Sequence, residues 1–326
     1  MINKKKIAFC GSDEIALPMV EFIQSSIQEA EIISVLTQPD RRSGRGRNLK
    51  QNEIKAWATK NHLEIKSPVK PGIDEIYRFQ ELGIDLVLVM AYGHLLSNQF
   101  LNLAPSGCYN LHASLLPAYR GASPIETAIA SGDQETGVSL MRMVKRMDAG
   151  PVIDQENVSI HKQDTGSLLR EKLSKACIPL IKRNISKLLL GNVEETEQDE
   201  SKVSYCRKLQ KEDAFLDFAL PANLLVSRIR AFKHWPGSIF FHDEVPLRIG
   251  KCEALAHQDL APGAIEVLDN GYLRIGTGKG ILNLLEVQKP GGRMLPVADF
   301  LRGYSIQNGS LLAYTSNSPL VFKNFA

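Results

Sequence analysis

The stretch Leu86-Val-Leu-Val-Met90 is an uninterrupted apolar run that decides the fold class of this chain. Consecutive apolar residues without alternation are typical of a strand buried on both faces, as in a parallel sheet covered by helices. Working outward, apolar runs at 7–10 and 32–37 alternate with amphipathic, helix-forming stretches at 14–25 and 73–82. This alternation predicts an α/β unit with a Rossmann-like, mostly parallel sheet.

The remaining pattern of the first half predicts how this unit ends. A strand at 138–144 and a hairpin partner at 151–160 precede a long amphipathic helix at 165–190. The acidic, unperiodic stretch that follows has the composition of a linker. We therefore predict three segments: an N-terminal domain at 1–190, a linker at 191–206 and a C-terminal domain at 207–326.

The C-terminal domain has a different pattern, in which one helix at 222–232 is followed by short strands. Glycine-rich turns separate the strands and supply the positive φ values that hairpins need. Five such strands suggest a smaller β-barrel of the oligonucleotide-binding (OB) type. The predicted strands are 238–241, 247–255, 263–268, 272–275 and 281–287.

Length and composition restrict the class of protein. A chain of 326 residues and 36.1 kDa is long enough for two domains, and 44% hydrophobic with 23% charged residues is typical of a soluble globular protein. No run reaches the ~18 apolar residues of a membrane span, and no signal-peptide pattern follows the N-terminus. Five scattered cysteines form no metal-binding spacing. We expect reduced thiols, a cytoplasmic protein, no metal and no membrane association.

Three polar residues form a candidate catalytic site. Asn110 and His112 are separated by one residue in an extended segment, so both side chains face the same way. A returning loop could bring Asp148 to them. An amide donor, an imidazole and a carboxylate supply what acyl transfer to an amine requires, namely a stabiliser for the oxyanion and a proton relay. The chain is therefore predicted to be an enzyme.

The turn after the first strand argues against a nicotinamide cofactor. Gly11-Ser12-Asp13 occupies the position of a dinucleotide-binding turn, but Asp13 stands where the second glycine of G-x-G-x-x-G is required. A carboxylate there would face the pyrophosphate. A plain strand-to-helix turn with a capping side chain is the better interpretation.

A basic loop at 39–50 predicts contacts with phosphate groups. It carries five cations, two glycines and one acid, and it follows the second strand at the ligand-binding edge of an α/β sheet. A solvated charged face is the alternative interpretation. Guanidinium groups on a loop suit nucleic acid or another polyphosphate. The predicted contact residues are Arg41, Arg42, Arg45, Arg47 and Lys50, and the cluster at 207–211 adds a second basic patch.

The stretch Asn110-Leu-His-Ala-Ser-Leu-Leu-Pro117, with Arg120 to Ile125, Thr136 to Val138 and Asp148 to Gly150, resembles the 10-formyltetrahydrofolate-dependent formyltransferases. The resemblance covers residues 5 to 303. It implies transfer of a formyl group from 10-formyltetrahydrofolate to an amine. The basic loop and the attached barrel resemble the family members that act on initiator methionyl-tRNA, which we expect as the partner of a monomeric enzyme.

The resemblance also implies roles for individual residues. Asn110, His112 and Asp148 match the catalytic trio; Asn110 and His112 would donate hydrogen bonds to the oxyanion, and Asp148 would orient His112. Arg41 and Lys208 match residues on the tRNA side. The residues that would contact the folate are Ser114, Leu115, Leu116 and Pro117 in one turn, and Met90, Ala91, Tyr92 and Gly93 at the end of a buried strand.

Other interpretations remain open from sequence alone. Within the same family, an amino-sugar nucleotide could be the acceptor, although such an enzyme has less use for five cations on one loop. A glycinamide ribonucleotide formyltransferase would lack a second domain of this size. A non-enzymatic RNA-binding protein would bind tRNA without any dependence on folate.

Overall fold

We describe a computed structural model of the chain, which covers residues 4–43, 48–256, 260–269 and 271–324. The chain divides into two compact units. The first consists of Met1–Ala122, Thr136–Ser159 and Arg170–Tyr205, and the second of Ser123–Glu135, Ile160–Leu169 and Cys206–Ala326. The domain boundaries proposed from the sequence stay a prediction.

The described residues form short strands and helices throughout both units. The strands are β1 (Lys5–Gly11), β2 (Ala30–Leu36), β3 (Arg41–Ser43), β4 (Asn48–Lys50), β5 (Glu64–Lys66), β6 (Leu86–Met90), β7 (Cys108–His112), β8 (Arg120–Gly121), β9 (Glu135–Arg142), β10 (Val152–Ser159), β11 (Tyr205–Cys206), β12 (Ile239–His242), β13 (Val245–Leu255), β14 (Ile265–Val267), β15 (Leu273–Gly276), β16 (Ile281–Gln288), β17 (Leu295–Pro296) and β18 (Val321–Phe322). The α-helices are α1 (Leu17–Ser26), α2 (Glu53–Lys60), α3 (Ile73–Leu82), α4 (Asn98–Leu101), α5 (Pro124–Ser131), α6 (Gly166–Leu190), α7 (Ala222–Ala231) and α8 (Val297–Gly303), and 3₁₀ helices lie at Glu14–Ala16, Glu200–Lys202 and Lys211–Ala214.

The first unit is built on a seven-stranded sheet in the order β10-β9-β7-β6-β1-β2-β5. The pairs from β7 through β5 are parallel, and β9 joins β7 in the antiparallel sense. The run Leu86–Met90 is fully buried, as its unbroken apolar sequence predicts. The predicted α/β fold class with a mostly parallel sheet is confirmed.

The carboxyl ends of the central strands meet at one edge of this sheet. β1 ends at Gly11, which pairs with Met90 at the end of β6, and Val89 pairs with Asn110 near the end of β7. A Cβ on Gly11 would lie 2.7 Å from the Met90 carbonyl oxygen and 2.5 Å from the Phe9 ring, so only glycine fits there. The loops that follow β1, β6 and β7 therefore gather at the edge where open α/β sheets bind ligands.

The basic loop contains a small antiparallel pair that the sequence did not predict. In β3 and β4, Arg41 pairs with Lys50, and Arg42 pairs with Leu49. The described side chains of the pair are exposed, so its residues lack the apolar alternation from which a half-buried strand is recognised. Two of the predicted contact residues, Arg45 and Arg47, lie outside the described residues.

The second unit contains an antiparallel sheet in the order β12-β13-β16-β15-β14, and β17 also pairs with β16. The five predicted strands correspond to β12 through β16, and the fold class with a smaller OB-like unit is confirmed. Helix α7 contributes Leu225 and Ile229 to the core beneath the sheet. Within the described residues the two end strands, β12 and β14, do not pair with each other, so the barrel is partly open.

The C-terminal tail covers β14, the last strand of this sheet. Ile265 N–H donates to the Ser310 carbonyl, and Leu312 N–H donates to the Gly263 carbonyl, both at 2.9 Å. Ile306 and Leu312 are buried in the same core. The tail therefore satisfies backbone groups that an uncovered edge strand would expose.

Candidate active site

Strand β7 carries Asn110 and His112, the two candidate catalytic residues that are closest in sequence. Asn110 pairs with Met141 and His112 pairs with Ser139, both on β9. Because side chains alternate along a strand, Asn110 and His112 face one side of the sheet and Leu111 faces the other. They are 9% and 6% exposed. Among the described residues, none forms a hydrogen bond with the Asn110 side chain, so its amide is available to a ligand.

Acceptors lie beside both ring nitrogens of His112. Nε2 is 2.9 Å from the carbonyl oxygen of Tyr119, and Nδ1 is 3.7 Å from Oδ2 of Asp148. A carbonyl oxygen can only accept a hydrogen bond, so Nε2 carries a hydrogen and donates it. The distance to Asp148 suits an ionic contact but is too long for a hydrogen bond. The structure therefore brings His112 and Asp148 together, as predicted from the sequence.

Asp148 reaches His112 from a tight turn. Its backbone has φ of 48°, in the left-handed region that few residues other than glycine adopt. Its Oδ2 accepts a hydrogen bond of 2.8 Å from the Gly121 backbone N–H. The side chain is 17% exposed. The carboxylate is thus held between a backbone donor and the imidazole, with one face open to solvent.

The predicted folate-binding turn, Ser114–Pro117, is held by side chains from neighbouring strands. Ser139 Oγ accepts from Leu116 N–H at 2.9 Å and donates to the Ser114 carbonyl at 2.7 Å. Gln155 Nε2 donates to the Leu116 carbonyl at 3.0 Å and to Ser139 Oγ at 2.8 Å. Both ends of the turn are therefore fixed to β9 and β10.

Leu115 of this turn packs against a glycine of β9. A Cβ on Gly137 would lie 2.5 Å from Leu115 Cδ2 and 2.2 Å from the Glu156 carbonyl oxygen. Any side chain at this position would displace the turn or the strand. Leu115 and Pro117 are half-buried, whereas the Ser114 and Leu116 side chains are buried.

The four residues Met90–Gly93, at the end of β6, differ in what they present to a ligand. The side chains of Met90 and Tyr92 are 1% and 2% exposed, whereas Ala91 and Gly93 lie at the surface with φ of 49° and 76°. Burial raises the pKa of the Tyr92 hydroxyl well above its usual value, so this phenol stays neutral. Contacts from this segment would come from Ala91, Gly93 and the backbone. Its role in folate binding stays a prediction.

Gln38 links the basic loop to the segment after β6, which the sequence did not predict. Its Nε2 donates to the Tyr92 carbonyl at 2.8 Å, and its Oε1 accepts from Arg41 Nη2. A Cβ on Gly93 would lie 2.5 Å from the Gln38 amide nitrogen. The Arg41 guanidinium is therefore tethered through Gln38 to the candidate ligand-binding edge.

The other predicted tRNA-contacting residues within the described part of the chain are exposed. Arg42 and Lys50 project from the β3–β4 pair, and Lys50 Nζ lies 3.0 Å from a Glu53 carboxylate oxygen. Lys208 is exposed in the second unit. Exposed cations can exchange such contacts for phosphate groups, but the assignment of these residues to tRNA stays a prediction.

Ser139, Gln155 and Gln38 are supporting residues that the sequence did not predict. Each acts by a hydrogen bond to backbone far away in the sequence, and each belongs to a common polar residue type. No local motif signals such a role. Within the described residues, no group of three or more His, Cys, Asp or Glu side chains is arranged to hold a metal ion, and none of the described helices is long and apolar enough to span a membrane.

Family comparisons agree with this site and fold. Residues 5–182 match the model described as "Formyl transferase", and residues 208–305 match "Formyl transferase, C-terminal domain". The chain belongs to the formyl transferase family, and it is an enzyme of formyl transfer.

More similar relatives place the chain within one branch of that family, the methionyl-tRNA formyltransferases. The methionyl-tRNA formyltransferase of Methylococcus capsulatus is 37% identical over 92% of this chain and 97% of that protein. The protein of the same name from Acidithiobacillus ferrooxidans is 37% identical over 96% of this chain and 100% of its own length.

Solved structures with lower identity support the fold. The N-formyltransferase from Helicobacter canadensis, in complex with folinic acid and dTDP-3-aminofucose, has a TM-score of 0.66 at 20% identity over 87% of this chain and 99% of that chain. HypX from Aquifex aeolicus in complex with tetrahydrofolic acid has a TM-score of 0.59 at 15% identity, over 96% of this chain and 51% of that chain. At these identities the likeness concerns the fold alone.

Proposed function

We propose that this chain transfers the formyl group of 10-formyltetrahydrofolate to the α-amino group of methionine on initiator methionyl-tRNA, giving N-formylmethionyl-tRNA for translation initiation. The observation that carries the chemistry is the placement of His112 between the Tyr119 carbonyl, 2.9 Å from Nε2, and Asp148, 3.7 Å from Nδ1. The names of the relatives support methionyl-tRNA as the acceptor.

The reaction requires a group that takes a proton from one nitrogen and returns it to another. The methionyl amine attacks the formyl carbon, a new C–N bond forms, and the bond from carbon to N10 of the folate breaks. The amine loses one proton and N10 gains one. Because the Tyr119 carbonyl holds the ring hydrogen of His112 on Nε2, the lone pair of the neutral ring lies on Nδ1. His112 Nδ1 is thus our proposed proton acceptor.

Asp148 stabilises the product of that proton transfer. When Nδ1 is protonated, the ring carries a positive charge and faces a carboxylate 3.7 Å away. Attraction between opposite charges in a largely buried site favours this state. Asp148 therefore assists proton removal without leaving its hydrogen bond to the Gly121 N–H.

Asn110 is the proposed donor to the oxyanion that develops on the formyl oxygen. Its side chain shares a face with His112 and is free of hydrogen bonds to the described residues, so its amide can donate to substrate. Donation by His112 to the same oxygen, expected from the sequence, would require its Nε2 hydrogen to leave the Tyr119 carbonyl. We therefore assign the proton relay to His112 and the oxyanion to Asn110.

The proposed substrate contacts come from residues outside this trio. We propose that the Ser114–Pro117 turn and the Met90–Gly93 segment contact 10-formyltetrahydrofolate, supported by Ser139 and Gln155. The proposed contacts with tRNA are Arg41, Arg42, Arg45, Arg47, Lys50 and Lys208. The exposed positions of the described members of this set support the assignment.

We also propose a monomer in the cytoplasm, with a catalytic domain at 1–190, a connecting segment at 191–206 and a tRNA-binding domain at 207–326. The five cysteines are free thiols, which supports a reducing compartment. Light scattering would test the monomer, for which we expect the mass of one 36.1 kDa chain. Twice that mass would contradict it.

A formyl-transfer assay with three acceptors tests the function. Labelled 10-formyltetrahydrofolate would be incubated with the enzyme and with initiator methionyl-tRNA, elongator methionyl-tRNA or a dTDP-amino sugar. We expect label in acid-precipitable initiator methionyl-tRNA, with much less on the elongator species. Transfer to the sugar nucleotide alone, or tRNA binding without any transfer, would overturn the proposal.

A further inference from the structure

One side chain from the segment predicted to be a linker forms hydrogen bonds to the turn that carries Asp148. Gln198 is 9% exposed, and its Nε2 donates to the Asp148 carbonyl at 2.9 Å and to the Gly150 carbonyl at 2.7 Å. The two amide hydrogens of Gln198 therefore bind backbone carbonyl groups on both sides of the turn. A single side chain bridges the start and the end of it.

A buried arginine fixes the orientation of this amide. Arg120 is fully buried, and its Nε and Nη2 donate to Gln198 Oε1 at 3.0 and 2.8 Å. A guanidinium group only donates and carbonyl oxygens only accept, so the amide fits in one orientation. Arg120 Nη2 also contacts Glu200 at 3.0 Å, which balances the buried charge.

The turn needs such support because its backbone is strained. Asp148 has φ of 48°, in the left-handed region, and a residue other than glycine keeps such a conformation only when the surrounding structure holds it there. Without the strained turn, Asp148 Oδ2 would not be placed beside both the Gly121 N–H and the His112 ring.

We propose that Gln198 is a positioning residue for formyl transfer: together with Arg120, it holds the Asp148 backbone in the conformation that places the carboxylate beside His112. This inference rests on the proposed function, because it requires Asp148 to act in catalysis. It also gives part of the 191–206 segment a role in the chemistry of the first unit.

The substitution Gln198→Glu tests this role with little change in size. A glutamate retains the contact with Arg120 as an ion pair, but it cannot donate to the carbonyls of Asp148 and Gly150 and is repelled by them. We expect kcat for initiator methionyl-tRNA to fall by roughly 10- to 100-fold, as displacement of a catalytic group by about 1 Å does. KM for both substrates should change by less than about twofold, because Gln198 is not proposed to bind either one.

Hydrogen exchange supplies a readout that general destabilisation would not reproduce. The Gly121 N–H reports directly on the Asp148 carboxylate, since it donates to Oδ2. In the Gln198→Glu variant we expect faster exchange at Gly121 and in the 148–150 turn, with unchanged exchange in β1 and β6. The control is Glu197→Gln, which changes the charge of the exposed neighbouring residue and should leave both kcat and exchange unaltered.

The outcomes separate this inference from the proposed function. If Asp148→Asn loses activity while Gln198→Glu keeps kcat within about twofold of the wild type, the positioning role is wrong and the proposed function stands. If Asp148→Asn itself keeps normal kcat, Asp148 is not catalytic, and the positioning role of Gln198 is contradicted with it. Uniformly faster exchange, or failure of both Gln198→Glu and Gln198→Asn to fold, would show that Gln198 supports the whole unit, which also contradicts the proposal.

Discussion

The backbone N–H of Leu116 donates a hydrogen bond of 2.9 Å to Ser139 Oγ, which in turn donates to the Ser114 carbonyl at 2.7 Å. One hydroxyl on β9 thus sets the shape of the turn proposed to contact the folate. Ser139 is fully buried, so no water can replace it without rearrangement of the turn.

Replacing Ser139 with alanine should loosen this turn. We expect the free energy of unfolding to fall by about 1–3 kcal/mol, because buried backbone groups lose their partner. KM for 10-formyltetrahydrofolate should rise by roughly tenfold, equivalent to about 1.4 kcal/mol, while KM for tRNA is unchanged. Urea unfolding and steady-state kinetics measure the two effects. Ser159→Ala, at an exposed position of β10, is the control. An unchanged KM for 10-formyltetrahydrofolate in Ser139→Ala would refute the proposal that Ser139 supports the folate-binding turn.

Asn110→Asp tests the proposed oxyanion donor with almost no change in shape. The carboxylate cannot donate a hydrogen bond, so kcat should fall by about 10²–10³-fold with little change in KM for tRNA. Steady-state kinetics with saturating 10-formyltetrahydrofolate would measure kcat and the KM for tRNA separately. Asn98→Asp, at an exposed helix position, should behave as the wild type. A near-normal kcat in Asn110→Asp would remove Asn110 from the mechanism.

Arg41→Ala should weaken tRNA engagement in a way that depends on salt. Each phosphate contact that is lost lowers the slope of log affinity against log salt by about one. Titration of tRNA at several salt concentrations measures this slope. Lys60→Ala, an exposed cation on α2, is the matched control and should leave the slope unchanged. Equal slopes for Arg41→Ala and the wild type would contradict the proposed contact between Arg41 and a phosphate group of the tRNA.

The Asp213–Arg207 pair predicts a pH dependence of stability in the second unit. Burial alone would raise the pKa of Asp213, but the hydrogen bonds from Arg207 and from the Gln210 N–H, together with the positive charges of Arg207 and Arg228, outweigh burial and hold this pKa below the usual 3.8. A lowered carboxyl pKa stabilises the fold above the unfolded-state value, and this stabilisation is lost as the pH falls below 3.8 through the folded-state pKa.

Asp213→Asn should therefore destabilise the protein at neutral pH, and by progressively less as the pH falls below 3.8. We expect a loss of about 3 kcal/mol at pH 7, because Arg207 would keep its burial and lose its counter-charge. Urea unfolding between pH 7 and 3 measures the difference, with the exposed Asp269→Asn as control. A difference from the wild type that stays constant over this range would rule out the ion pair as its source.

The sequence predicted the elements whose signals are local. The apolar run 86–90 gave the buried strand, and the helix at 73–82 has the bounds that periodicity indicated. The trio of Asn110, His112 and Asp148 could be proposed because two members lie on one strand and the pattern resembles a known family.

The contacts that hold this trio could not be predicted in the same way. Gln198 lies in an acidic stretch with linker composition, yet it is buried against the Asp148 turn. Its role depends on hydrogen bonds with backbone carbonyls and with Arg120. Such contacts cannot be predicted from the spacing or the periodicity of residues in the sequence. The β3–β4 pair was missed for a related reason, since its exposed residues carry no apolar pattern.

The single-turnover rate of formyl transfer in Asp148→Asn tests the central claim most directly. With enzyme in excess over initiator methionyl-tRNA and saturating 10-formyltetrahydrofolate, the rate reports the chemical step alone. We expect a fall of about 10²–10⁴-fold with unchanged tRNA binding, since an amide cannot stabilise the protonated His112. A rate within about twofold of the wild type would contradict the assignment of Asp148 and His112 to the proton transfer.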